Sequence, residues 1–289
     1  MGTMSAASWR SEELPPAIVA HTPKRQRSEG RLRLVAAGSR ARTHLVELAE
    51  QGALRGRIPR SDGGDMEAVM VNTAGGVACG DRFTIEMEAR AAARLTVSTP
   101  AAEKVYRSDS DQAEIHVRLA AGAGAALHWL PQETILFDQA RLTRRYEVEL
   151  DPSSTFLAFE ALVFGRAARG ETMSGGALVD QWRVRRGGGL IYADALRIDG
   201  PIGEMLARPA IANGRHALAT LLYVAPDAEA RLDAVREALG ACASECGASA
   251  WNGLLVVRWL ADDIEMLRRD ATSFLMTFRG APLPRVWAS

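Results

Sequence analysis

The chain has 289 residues, enough for one large domain or two ordinary ones, and its hydrophobic fraction of 47% supports a sizeable core. Its 35 basic and 35 acidic side chains give zero formal charge, which argues against a nucleic-acid partner because phosphate binding needs a basic face. Among the basic residues only Lys24 and Lys104 are lysines, a bias we read as genome composition. No apolar run approaches the length of a membrane-spanning helix, and the N-terminus shows no apolar signal core. Cys79, Cys242 and Cys246 form neither a CxxC pair nor an even framework, which points to a reducing cytoplasm.

Along the chain, residues 1–30 lack periodic apolar pattern and contain Pro15-Pro16 and Lys24-Arg25-Gln26-Arg27, as expected of a flexible tail. Residues 31–289 then read as a single domain. From 31 to about 225 the dominant period is two: Phe83, Ile85 and Met87, then Leu95 and Val97, then Ile115, Val117 and Leu119, then Tyr146, Val148 and Leu150 alternate with polar residues. Such alternation marks strands with one buried and one wet face. Glycine-rich breaks at 74–80, 122–124, 175–176 and 187–189 separate them. No long helical pattern intervenes, so βαβ units are not expected, and the pattern predicts a many-stranded, mainly antiparallel body.

The last third changes period. Leu232, Val235, Leu239 and Cys242 predict an amphipathic helix over 227–243. Ile264, Leu267, Phe274, Leu275 and Phe278 predict a second over 263–279, with Asp262 and Glu265 as a capping box and Gly280 and Pro282 as its stop. Leu254–Leu260 reads as a buried strand between them, giving a small helix-strand-helix part over 226–280.

Several chemistries can be tested on residues alone. Gly75-Gly76 and Gly80 suggest a phosphate loop, but Asp81 occupies the lysine position and a strand follows, so a glycine turn fits better. Cys242 and Cys246, four apart and read as sharing a helix face, have no His or Cys pair nearby to complete a zinc site. The five histidines fall in no motif with a nucleophile, and no G-x-S-x-G elbow exists; His116, in the polar phase of its strand, is expected to face solvent or to line a polar channel. What remains is a scatter of acids in glycine-rich or apolar settings, Asp81, Glu133, Asp138, Glu160 and Glu171, with Cys79 beside them. Few converging carboxylates bind divalent cations weakly and reversibly, which suits a protein that passes a metal on.

The decapeptide Trp129-Leu-Pro-Gln-Glu-Thr-Ile-Leu-Phe-Asp138 holds Gln132-Glu133-Thr134 among bulky apolar residues behind Pro131. It resembles the signature of the UreD (UreH) family of urease accessory proteins. The resemblance extends from about residue 30 to the C-terminus. It takes in Gly75, Gly76, Gly80 and Asp81 of Asn72–Asp81, and Pro100, Lys104, Tyr106 and Arg107 of Ser98–Ser108. It also takes in Trp129, Pro131, Gln132 and Glu133, Gly165-Arg166 with Gly170-Glu171, Asp180-x-Trp182, Leu190–Gly200, Gly253–Arg258 and Arg279–Trp287. The chain departs from the usual pattern at Ala74, where many members have proline, and at Cys79, where many have glycine. The resemblance implies a mainly β, helix-like winding of stacked sheets with two helices in the C-terminal third. It also implies a non-catalytic urease maturation factor that binds apo-urease and UreF, meets the GTPase UreG through UreF, and handles nickel in transit without a tightly bound cofactor. The alternative from a different class is a cytoplasmic hydrolase or lyase on the same body, with Glu133 and Asp138 as a carboxylate pair.

Overall fold

The computed structural model describes residues 27–39, 42–60, 63–109, 111–166 and 169–288; the expected tail lies outside them over residues 1–26. The strands are β1 (Glu29–Ser39), β2 (Arg42–Gly52), β3 (Leu54–Arg57), β4 (Met66–Asn72), β5 (Arg82–Ala89), β6 (Arg94–Ser98), β7 (Glu103–Val105), β8 (Ala113–Ala121) and β9 (Ala126–Leu130). They continue with β10 (Thr134–Leu136), β11 (Arg141–Leu150), β12 (Thr155–Arg166), β13 (Glu171–Thr172), β14 (Gly176–Arg186), β15 (Gly189–Gly200), β16 (Ala217–Val224), β17 (Glu245–Trp251) and β18 (Leu254–Ala261). The helices are α1 (Ile202–Ala207), α2 (Leu232–Leu239) and α3 (Ile264–Arg279).

The strands form two facing sheets. The first runs β15-β14-β11-β8-β5-β1-β2 and the second β17-β18-β16-β12-β9-β6-β4-β3. From β4 onward the chain alternates between them: β4, β6, β9 and β12 lie in the second sheet, and β5, β8, β11 and β14 in the first. β7 and β10 stack as a short third side, with Val77 bridging to Val105. The body is therefore a β-solenoid of stacked coils. Its interior neighbours are parallel, against the antiparallel expectation. Antiparallel pairs lie at the ends of the sheets, and the two-residue β13 pairs antiparallel with the end of β12. The reason is geometric. Each turn of chain changes sheet, so strands that pair within a sheet are separated by a whole coil and run the same way. No helix is needed for the crossover, because the opposite sheet makes it.

The period-two alternation is a direct result. Each strand turns one face to the interior, where Leu32, Phe83, Ile85, Val117, Leu119, Leu127, Leu142 and Val148 form a continuous core. The outer face of the first sheet is charged: Arg33, Glu86, Arg118 and Glu147 stand side by side in register on successive strands. His116 lies on that face, with Nε2 3.2 Å from a Glu147 carboxylate oxygen. β12 is buried on both sides, which explains why its sequence from Phe156 to Phe164 is apolar except for Glu160. Its odd-numbered residues, with those of β16 and β18, pack against α2 and α3 in a second core.

The C-terminal part contains two changes from expectation. A second strand, β17, precedes β18 and pairs with it antiparallel, and the first helix stops at Leu239. Cys242 therefore follows the helix and Cys246 sits on β17, so the two do not share a helix face. The N-cap of α3 is Asp263, whose carboxylate accepts the Met266 N–H at 2.8 Å; Asp262 lies one residue too early for a capping box. Gly280 ends the helix in the left-handed conformation (φ 60°).

α3 buries Leu267, Ala271, Phe274 and Leu275, and Phe274 packs edge-on to Trp259 at 5.3 Å between ring centroids. Truncating such a side chain removes its transfer free energy and leaves a cavity. Phe274→Ala should lower stability by about 3–5 kcal/mol, read as a shift of the urea midpoint at unchanged m-value.

Candidate functional site: a buried charged centre between the sheets

β11 turns Leu142, Arg144, Tyr146 and Val148 inward, and β14 turns Leu178, Asp180, Trp182 and Val184 inward. Their register sets Arg144 beside Asp180 and Tyr146 beside Trp182, whose rings stack at 3.8 Å. Arg144 is 4% exposed and Asp180 6%. The guanidinium donates from Nη2 to Asp180 Oδ2 at 2.6 Å and from Nε to Oδ1 at 3.3 Å, a two-point pairing. From the opposite sheet comes Glu160 on β12, 5% exposed. Its Oε2 lies 2.9 Å from Arg144 Nη1, while Oε1 accepts from Trp129 Nε1 at 2.6 Å and Tyr146 OH at 2.5 Å. Arg144 Nη1 also donates to Thr134 Oγ1 at 3.0 Å.

One guanidinium thus faces two carboxylates in a dry interior. Burial would lower the Arg144 pKa, but Asp180 and Glu160 outweigh it and hold the pKa well above its ordinary value. Burial raises the Glu160 pKa, and the Arg144 charge opposes that only in part.

Glu160 lines two cavities. The outer one, about 260 Å³, is lined by Glu160, Asp180, Trp182, Tyr192, Asp194, Thr220 and Arg258. The inner one, about 40 Å³, is lined by Glu160, Arg144, Tyr146, Thr134, Gln132 and Glu103 among apolar residues such as Phe83 and Val117. Burial pushes the Glu103 carboxyl up to about 7, although Asn72 Nδ2 donates to both its oxygens at 3.2 and 3.3 Å. At the mouth of the outer cavity Arg258 Nη2 lies 2.5 Å from Asp194 Oδ2, which also accepts from Tyr192 OH at 2.9 Å.

Of the acids singled out from sequence, Glu160 is at this centre and the others are not. Asp81 accepts the N–H groups of Ser28 and Ala78 at 2.7 and 2.8 Å and so ties a turn. Cys79 is buried beside it, its Sγ 3.2 Å from Arg27 Nη1. Asp138 accepts from the Ser174 hydroxyl and N–H at 2.7 Å each and from the Gly175 N–H. Burial pushes its pKa up, but those bonds win and hold it below its usual value. Glu171 pairs with Arg166 and accepts the Asp138 N–H at 3.2 Å. Glu133 is buried, and its carbonyl accepts the Glu103 N–H at 2.9 Å. Neither Glu133 nor Asp138 lines either cavity. Cys246 donates to the Leu239 carbonyl at 3.6 Å, and burial, with Cys242 beside it, pushes its thiol up to about 11. Among the described residues no group of three or more His, Cys, Asp or Glu is arranged to hold a metal ion.

The motif residues mostly build the walls. Tyr106 OH donates to the Gly75 carbonyl at 2.8 Å, and its ring covers Gly76 so closely that an added Cβ would sit 2.5 Å from it. The Lys104 carbonyl accepts the Val77 N–H, and Arg107 bridges to Ala140. Arg166 lies over the Phe137 ring at 4.0 Å. Trp129 is the exception, because it bonds Glu160 directly. After Pro131, Gln132 ties the interior to the C-terminus: Nε2 donates to the Val286 carbonyl at 2.9 Å, and Oε1 accepts from Arg268 at 2.5 Å. Arg144 and Tyr146 were missed as site residues. Asp180, Asp194 and Glu103 entered only within motif stretches. Their signal was present: Arg144 and Asp180 are charges in the apolar phase of otherwise alternating strands.

Comparison with known proteins agrees with this architecture. The pattern of the UreD urease accessory protein family matches residues 28–288. The chain is 64% identical over 289 residues to the urease accessory protein UreD of Xanthobacter autotrophicus, covering 99% of this chain and 100% of the relative. It is 62% identical over 270 residues to UreD of Azorhizobium caulinodans, covering 93% and 100%. It is 55% identical over 274 residues to UreD of a Methylobacterium species, covering 92% and 96%. The chain belongs to the UreD family of urease accessory proteins.

Two outcomes follow from the geometry. Asp81→Ala leaves two turn N–H groups without their acceptor and should cost about 1–3 kcal/mol in a denaturant melt. Glu103, with its folded pKa raised from 4.5 to about 7, holds a proton in the folded state that the unfolded chain releases. Stability from this group is therefore present below pH ~4.5 and declines as pH rises toward 7. Glu103→Gln should flatten that decline, measured as melting temperature against pH from 4.5 to 8.

Proposed function

We propose that this chain is a non-catalytic scaffold for urease maturation that carries nickel through its interior. The observation that supports this reading is the pair of cavities that share Glu160 in their walls inside an otherwise apolar solenoid. A polar track with few carboxylates can pass a borderline cation without trapping it. The family membership sets the context: the chain works on apo-urease. It docks UreF, and through UreF the GTPase UreG. The chain itself needs no nucleotide site, in keeping with Asp81 in its glycine turn, where a carboxylate would repel phosphate. No helix among the described residues is long and apolar enough to cross a membrane. The family membership is the ground on which we propose a cytoplasmic setting beside urease.

The test is co-expression of urease and its accessory proteins with wild-type chain, with no chain, or with Glu160→Gln. Without the chain, urease subunits should accumulate without nickel. Glu160→Gln keeps the size and most hydrogen bonds of the side chain but removes the charge. It should still co-purify with UreF and urease, while nickel per urease active site falls severalfold at limiting nickel. Full nickel loading by this variant would contradict the passage.

A further inference from the structure

Three carboxylates line the outer cavity, Glu160, Asp180 and Asp194, and each is met by an arginine of the same chain. The two arginines are differently placed. The Arg258 side chain is 54% exposed, so its pair with Asp194 is screened and exchanges readily with solvent. The Arg144 side chain is only 5% exposed and is held between Glu160 and Asp180. It puts a single positive charge between two carboxylates, at 2.9 Å from one and 2.6 Å from the other. That balance leaves one negative charge over when both acids are ionised. A divalent ion bridging the same oxygens would leave none. The pairing is also uneven. Asp180 receives two aligned hydrogen bonds from the guanidinium, whereas Glu160 Oε2, though close, receives no aligned one among the described residues. This half-satisfied oxygen belongs to the residue that lines both cavities.

We propose that Glu160 and Asp180 form a divalent-cation site that Arg144 holds closed as a resident counter-cation. The proposal rests on the passage reading above and adds its control element. The guanidinium withdraws toward the inner cavity as the cation arrives from the outer one. Thr134 already accepts from Arg144 on that side, and Glu103 lines the same inner space. At rest the latch weakens the binding of any divalent ion, because an entering ion must first displace the guanidinium from both acids. A purely structural pairing makes a different prediction: removing Arg144 would then only destabilise the fold and leave two acids to protonate.

The experiment is titration of the tag-free full chain with Ni²⁺, followed by calorimetry and by melting temperature. Wild type should bind weakly. Arg144→Met should take up one Ni²⁺ per chain, tighter by about an order of magnitude or more, with a saturable rise in melting temperature. The gain should vanish in Arg144→Met/Glu160→Gln/Asp180→Asn. A folded Arg144→Met that binds Ni²⁺ no better than wild type overturns the proposal. If Arg144→Met does not fold, Arg144→Lys serves, since lysine keeps the charge but loses the two-point grip. It should bind Ni²⁺ more tightly than wild type, and equal affinity overturns the proposal. Tight binding by Arg144→Met together with full urease loading by Glu160→Gln would uphold the cation site and overturn the passage.

Discussion

The pairing of Arg144 with Asp180 and Glu160 is the interaction on which the rest of the interior depends. Arg144 and Asp180 belong to neighbouring strands of one sheet, and Glu160 belongs to the sheet opposite, so the contact crosses the core. Charges are costly there. Each ion loses its hydration, and only close, hydrogen-bonded partners offset the loss. Breaking such a group by removing one member costs about 3–5 kcal/mol, more than replacing the whole group by apolar side chains would. A polar centre in this place therefore calls for a use beyond stability, and the cavities on either side of it are where a use can be sought.

The solenoid makes that centre possible. Two sheets wound by one chain leave a long shared interior that parallel strands fill layer by layer. Because layers stack in register, one charged position on β11 falls beside one on β14. The second sheet adds Glu160 and Trp129 from adjacent strands. The C-terminal part closes the far side of the second sheet, and the Gln132 bonds to Val286 and Arg268 couple its position to the inner cavity. A partner that shifts α3 or the final segment would thus act on the wall of the inner cavity.

Much of the fold was legible in the sequence. Alternation gave the strands, the shift to period 3.6 gave α3, and the glycine breaks gave the corners. Strand direction was not legible, because alternation reports only which face is buried and says nothing about which strand pairs with which. β17 escaped notice because only one of its faces packs, and that with small residues such as Ala248 and Ala250. The site was legible in part. Acids in glycine-rich turns attracted attention but serve as turn ligands, as Asp81 and Asp138 show. The informative charges were the ones out of phase, Arg144 in a run of inward apolar positions and Asp180 two residues before Trp182. Glu103 gave no such signal, since its strand is three residues long.

The proposed passage can be tested without touching any charge. Thr220 lines the outer cavity on β16, two residues from the interior residues Leu218 and Leu222. Thr220→Trp fills that cavity with an indole. Nickel content of urease purified from cells carrying this variant, with assembly of the accessory complex checked in the same preparation, measures the central claim most directly. The account predicts an intact complex and urease lacking nickel. Urease fully loaded with nickel through a plugged, correctly assembled chain would contradict it.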